Sequence, residues 1–170
     1  SGSTTYVINP VVMKKLPYNP QVSFDPLGIV GSTGLVLLAN SAAVKSNNLK
    51  DLIAEAKTSS NISSYGSFGS ATISHLAGEM IIAATGLKLT HIPYKGSAPE
   101  MSDLIGGQIP LSVDTVVAAI PQLKSGRIKA IVVTSEKRAP LMQLTPTAIE
   151  SGYPLINIST WFAIVGPQGL

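Results

Sequence analysis

The chain has 170 residues, 45% hydrophobic and only 12% charged, with a net charge of +3 and a pI near 9.2. That length supports one domain with a substantial core, and the apolar content excludes a disordered chain. A soluble domain usually carries about 25% charged residues, so the deficit points to surface that faces another layer of protein rather than open water. The bases are scattered, without a long run or aromatic interleaving, which argues against nucleic acid as a partner. Their tightest group, Lys124, Arg127 and Lys129, falls where a helix is expected to end, and cations there complement the helix dipole. There is no cysteine, which excludes disulfides and thiolate metal sites and fits an oxidising compartment. Two separated histidines argue against a histidine metal site, so neither a metal nor a cofactor is expected.

Residues 1–25 are Pro-rich and read as irregular. Residues 34–40, "GLVLLAN", read as a strand, and "NLKDLIAEAK" as a helix with Asn48 as N-cap and Leu49, Leu52, Ile53 and Ala56 on one face. "ISSYGS" is a short strand. It leads into "SYGSFGSATISHLAGE", residues 64–79, whose second half begins a helix with Ile73, Leu76, Ala77, Met80, Ile81 and Ala84 inward and Gly86 as its stop. "KLTHIPY" is a strand, and "SAPEMSDLIGG" a helix with a capping box of Ser97 and Glu100. "QIPLSVD" is a strand, "TVVAAIPQLKSG" a helix kinked at Pro121, and "IKAIVVTS" a strand. "TPTAIESG" reads as a short helix with Thr145 as N-cap and Pro146 at the first position, and "ISTWFAIVGP" closes as a strand. The uncharged stretches 26–44 and 151–170 are interrupted by Gly, Pro, Ser and Asn, and read as buried strands joined by turns rather than membrane spans. No signal peptide is recognisable, and a chain that starts without Met and stops at "VGPQGL" is expected to be a piece of something longer.

Alternating strands and helices predict an α/β domain with a mostly parallel, roughly five-stranded sheet flanked by helices. In such sheets ligands sit at the carboxyl ends of strands, near helix N-termini. The places to search are therefore Asn40 and Ser41, residues 67–72, residues 94–97, Asp114 with Thr115, and Ser135.

Three chemistries compete at residues 67–72. "YGSFG" approaches the nucleophile elbow G-x-S-x-G, with Ser67 as nucleophile of a small α/β hydrolase. Tyr65 occupies the first glycine position, however, and His75 falls well along the following helix. A phosphate loop lacks its Gly-Lys-Ser/Thr, and no G-x-G-x-x-G is present. An anion cradle remains, because a helix N-terminus offers unpaired N–H groups and a positive dipole end. Gly69 and Ala71 admit close approach there, and Ser67, Ser70 and Thr72 supply hydroxyls. Plain helix capping by Ser70 or Thr72 explains the same residues equally well. Asp114 reads either as an N-cap or as a carboxylate facing a ligand or water, His75 as a structural histidine, and Trp161 and Phe162 as core or junction residues.

Taken in order, these blocks resemble one family: the periplasmic solute receptors of tripartite tricarboxylate transporters, or Bug family. "INPVVMKKLPYNP", "SYGSFGSATISHLAGE", "HIPYKGSAPEMSDLIGGQIPLSVDT", "LKSGRIKAIVVTSEKRAPL", "TPTAIESGYP" and "WFAIVGPQG" match its motifs across nearly the whole chain. The resemblance implies a type II periplasmic-binding fold, in which two α/β lobes close on a small carboxylate and the closed form docks on membrane permease subunits. It implies no catalysis, no nucleic acid and no direct membrane insertion. It implies that residues 1–30 belong to the first lobe, 31–160 form the second, and 161–170 return toward the first, with crossings near 30–32 and 160–163. Carried over residue by residue, Ser67, Gly69, Thr72 and Asp114 match the ligand motif, with Ser70, Ala71 and Thr115 beside them. Ala71 stands where the family usually has glycine, and Asn19 where it usually has Asp.

Overall fold

The computed structural model describes residues 2–170. The first strand, β1 (Phe24–Asn40), is far longer than the seven residues expected. Its first part pairs antiparallel with β6 (Ser159–Pro167), from Phe24 opposite Pro167 to Gly34 opposite Ser159. Its second part enters the main sheet between β4 (Leu111–Thr115) and β5 (Ile128–Val133), antiparallel to both. With β2 (Ser64–Ser67) and β3 (Thr90–Pro93), the order is β3-β2-β4-β1-β5, β6 pairing with β1 outside that path.

β2 is parallel to β3 and to β4, while β4 and β5 both oppose β1. Four of the five strands therefore share one direction, and β1 alone is reversed. Alternation along β1 is what buries both faces. Leu35, Leu37 and Ala39 join a core with Leu49 and Leu52 of α2 (Leu49–Ala56) and Ile73, Ala77 and Ile81 of α3 (Ile73–Thr85). Val36 and Leu38 join the opposite core, with Met101 and Leu104 of α4 (Ser97–Gly106) and Val116 and Ala119 of α5 (Val116–Leu123). Helices thus cover both faces, the layering that a mostly parallel sheet requires.

The helix signals held where the cap is local. Asn48 accepts from Asp51 N–H, Thr72 accepts from His75 N–H, and Gly86 ends α3 at φ +72°. Three expectations are corrected. Residues 4–12 are not irregular: a π-turn (Thr4–Ile8) runs into α1 (Asn9–Val12), and Tyr6 packs on Phe24 and Trp161. Residues 145–152 form turns rather than a helix, because the reciprocal cap is made by Thr147 and Glu150 and not begun at Thr145. Ser97 and Glu100 form no capping box: Gly96 is the cap of α4, and both side chains turn inward to β4.

Candidate functional site

Because β2, β3, β4 and β5 run the same way, Ser67, Pro93, Thr115 and Val133 end on one edge of the sheet. Helices α3, α4 and α5 start there, each a few residues beyond its strand or directly from it. Three helix N-termini and their positive dipole ends therefore gather along one edge, with Thr72 and Thr115 each capping one N–H of α3 and α5. The reversed β1 enters this edge at Leu35, opposite Thr115, so Thr33 and Gly34 lie beside it. Asn40 and Ser41, expected at this edge, emerge at the far one. There the Asn40 amide is consumed by Leu104 O and by the N–H groups of Ala42 and Ala43.

The loop 67–72 is built around a fully buried serine. Ser67 Oγ lies 2.6 Å from His91 Nε2, contacts Gly69 O at 3.2 Å and accepts from Gly69 N–H at 3.3 Å. Gly69 sits at φ +149° and Ala71 at φ +58°, the one non-glycine residue with positive φ among those described. Ala71 N–H donates to His75 Nδ1 at 3.1 Å, and Thr72 Oγ1 donates to Gly69 O at 2.7 Å. Ser74 Oγ ties the first turn of α3 to Val113 O of β4. Ser70 is exposed at the loop tip. Of the hydroxyls expected to face a ligand, those of Ser67 and Thr72 are therefore engaged in shaping the loop. What points outward at the loop tip is Ser70.

Next to it, Val113 pairs with Ser67, and Asp114 follows. Asp114 is buried, accepts from Ser97 Oγ, and accepts from Thr115 N–H at 2.6 Å. Burial raises its pKa, against the pull of those two donors. Asp114 is not the cap of α5; Thr115 is, accepting from Ala118 N–H at 3.3 Å. Behind Asp114 lies Glu100, wholly buried, with Oε1 accepting from Ser112 Oγ and Oε2 without a partner among the described residues. Burial, reinforced by the Asp114 charge, pushes Glu100 up to about 8 although Ser112 opposes it. Glu100 was missed because a capping box seemed to use it. Its spacing carried the signal: it lies four residues before Leu104 and adjacent to Met101, on the apolar stripe of α4.

Continuing along the edge, an open groove of about 730 Å³ is lined by Thr33 and Gly34 of β1, Val116 and Ile120 of α5, and Ser135 and Arg138 after β5. None of the seven expected residues lines this groove; Val116, the residue after Thr115, is the point where it comes nearest to them in sequence. The sheet thus brings Ser67, Gly69, Ser70, Ala71, Thr72, Asp114 and Thr115 to one edge. It adds His91, Ser97 and Glu100 behind them.

The Ser67–His91 contact gives the hydrolase reading half of its machinery, from a histidine that the sequence did not nominate. It lacks the rest. Ser67 is sealed from solvent, and the nearby acid, Glu79, lies 3.7 Å from His75 Nε2 and accepts from Tyr65 rather than orienting His91. Among the described residues no group of three or more His, Asp or Glu is placed to hold a metal ion, and no helix is long and apolar enough to cross a membrane.

The family model described as "Tripartite tricarboxylate transporter family receptor" matches residues 1–170. Protein BugT of Bordetella pertussis is 31% identical over 169 residues, covering 99% of this chain and 52% of that protein. The solved periplasmic binding protein BugD is 35% identical with a TM-score of 0.89, covering 99% of this chain and 56% of that one. An R. palustris protein solved with adipate is 30% identical with a TM-score of 0.92, at the same coverage of 99% and 56%. The chain spans about half the length of the curated relatives it matches.

Proposed function

This chain belongs to the receptor family of the tripartite tricarboxylate transporters, a non-enzyme family of solute-binding proteins, and from that premise we propose that it captures a small carboxylate in the periplasm. The observation that carries the reading is the gathering of three helix N-termini at one sheet edge, beside a loop whose tip exposes Ser70. Helix N-termini bind an anion without an Arg clamp. The adipate in the R. palustris relative supports a dicarboxylate of similar size.

In this reading residues 31–160 are the second lobe of a two-lobed receptor, residues 1–30 belong to the first lobe, and 161–170 return to it. The carboxylate docks at the tip of the 67–72 loop, at Ser70 with Gly69 and Ala71 beside it; Ser67 and Thr72 shape the loop from within, Asp114 and Thr115 lie alongside, and closure then presents the receptor to membrane permease subunits. The β1–β6 ribbon fits the crossing, since Gly31 pairs with Phe162 and Ser32 with Trp161. Exposed Leu27, Ile29, Val30, Phe162 and Ile164 along it fit burial against a further layer of protein.

The test is a thermal-shift screen of mono-, di- and tricarboxylic acids on the full-length protein carrying this sequence. An acid at a hundredfold excess over its Kd adds about 2.7 kcal/mol to stability, a shift of several degrees. Failure of every acid to stabilise the protein would contradict the reading. Turnover of ester substrates that is abolished in Ser67→Ala would favour the hydrolase instead.

A further inference from the structure

Two imidazoles lie behind the loop 67–72 and touch it at separate points. His91 Nε2 meets Ser67 Oγ at 2.6 Å, where the loop leaves β2. His75 Nδ1 accepts from Ala71 N–H at 3.1 Å, at the residue held at φ +58°. The two rings stack, with centroids 3.8 Å apart and planes 8° from parallel. One ring stack therefore ties the start of the loop to its most constrained residue. A non-glycine residue in this conformation needs such an external hold.

We propose that His75 and His91 are the positioning residues of the carboxylate loop, and that they hold it only while both rings are neutral. The proposal rests on the receptor reading above. The hydrogen bond from Ala71 fixes the neutral tautomer of His75: Nδ1 accepts, so the proton sits on Nε2, which faces Glu79 Oε1 at 3.7 Å. Protonating His75 places a second N–H against that of Ala71, and donor meets donor. Protonating both rings sets two positive charges face to face at stacking distance. Charged and titratable groups facing the pair are Tyr65 of β2, with its ring centroid 5.1 Å from His91, and Glu79 of α3, which accepts from Tyr65 at 2.7 Å. Burial and then the neighbouring His75 hold His91 below the usual histidine range, with Glu79 opposing them. Burial and the stacked neighbour thus favour the neutral form of His91.

The experiment uses the full-length protein and two readouts. Without ligand, NMR follows the His75 tautomer and the hydrogen-exchange protection of the Ala71 amide. With adipate, calorimetric titration follows Kd from about pH 8 to about pH 5. The expected result is an Nε2–H tautomer for His75, and protection of Ala71 that is lost on acidification and in His75→Ala. Adipate affinity falls at least about tenfold across the same interval. His75→Asn, whose amide oxygen replaces Nδ1 as acceptor, keeps the Ala71 protection and most of the affinity but loses the share of the pH dependence that His75 carries, leaving that of His91. It also guards against misreading a His75→Ala protein that merely folds poorly. Ala71 protection unchanged in His75→Ala, or an affinity that is flat with pH in the wild type, would overturn the proposal. Absence of binding at pH 8 by adipate and by every other acid of the screen, with the NMR signatures intact, would overturn the receptor reading instead, and leave the anchoring of the loop standing.

Discussion

Replacing Glu100 with glutamine tests how the back of this sheet edge is built. Glu100 is wholly buried, shares one oxygen with Ser112, lacks a partner for the other among the described residues, and feels the Asp114 charge. Its pKa of about 8 stands above the ordinary 4.5. The folded state therefore holds a proton that the unfolded state releases between these two values. The stability linked to this proton is fully present below about pH 4.5 and is lost as pH rises toward about 8, at about 1.4 kcal/mol per pH unit. By pH 7 the loss reaches about 3 kcal/mol. Glutamine keeps an acceptor for Ser112 and does not ionise. Urea denaturation across that pH interval should then show the wild type falling behind Glu100→Gln by about 2–4 kcal/mol at neutral pH, with the two within about 1 kcal/mol near pH 4.5. Asp114 titrates in both proteins, so the difference curve reports Glu100. Parallel stability curves would refute the assignment of a protonated Glu100 at neutral pH.

Two further substitutions probe the loop's support. Gly78 faces the Tyr65 ring so closely that an added Cβ would come within 2.1 Å of it. Gly78→Ala is expected to cost about 2–3 kcal/mol and to free the Tyr65 hydroxyl from Glu79, seen as a lower melting temperature and altered tyrosine fluorescence; an unchanged melt would mean that the helix shifts freely. Ala71→Gly removes the positive-φ strain and is expected to raise stability by up to about 1 kcal/mol, after the entropy that glycine adds to the unfolded chain. Calorimetric melts showing a loss of similar size would place the strain elsewhere.

Much of this architecture was legible because it is local. Asn48, Thr72 and Gly86 act on neighbours within a turn, and the stripes of α2 and α3 follow from a period of 3.6. The reversal of β1 was not legible, since a buried run such as "GLVLLAN" alternates identically whichever way it points. That one reversal sent Asn40 and Ser41 to the wrong edge and brought Thr33 and Gly34 to the right one. The Ser97–Glu100 box failed for a related reason. Its spacing satisfies a capping rule, while Asp114 and Ser112, far along the chain, offered the two side chains other partners. His91 was hidden between the two: its contact with Ser67 depends on the pairing of β2 with β3, which places Tyr65 opposite His91.

The order in which β1 finds its neighbours has a consequence for how the chain folds. β1 is the first strand in sequence, yet its partners are β4, β5 and β6, the last three. Phe24 pairs with Pro167 across nearly the whole chain, so every contact that secures β1 carries a large loop-closure entropy and slows folding. β1 is thus made before these partners and is completed last. A chain that ends before Ser159 leaves residues 24–34 with an open hydrogen-bonding edge flanked by Leu27, Ile29 and Val30. Such an edge recruits other strands, so truncated chains and slow folding intermediates should associate through β1 before their helices have anything to cover.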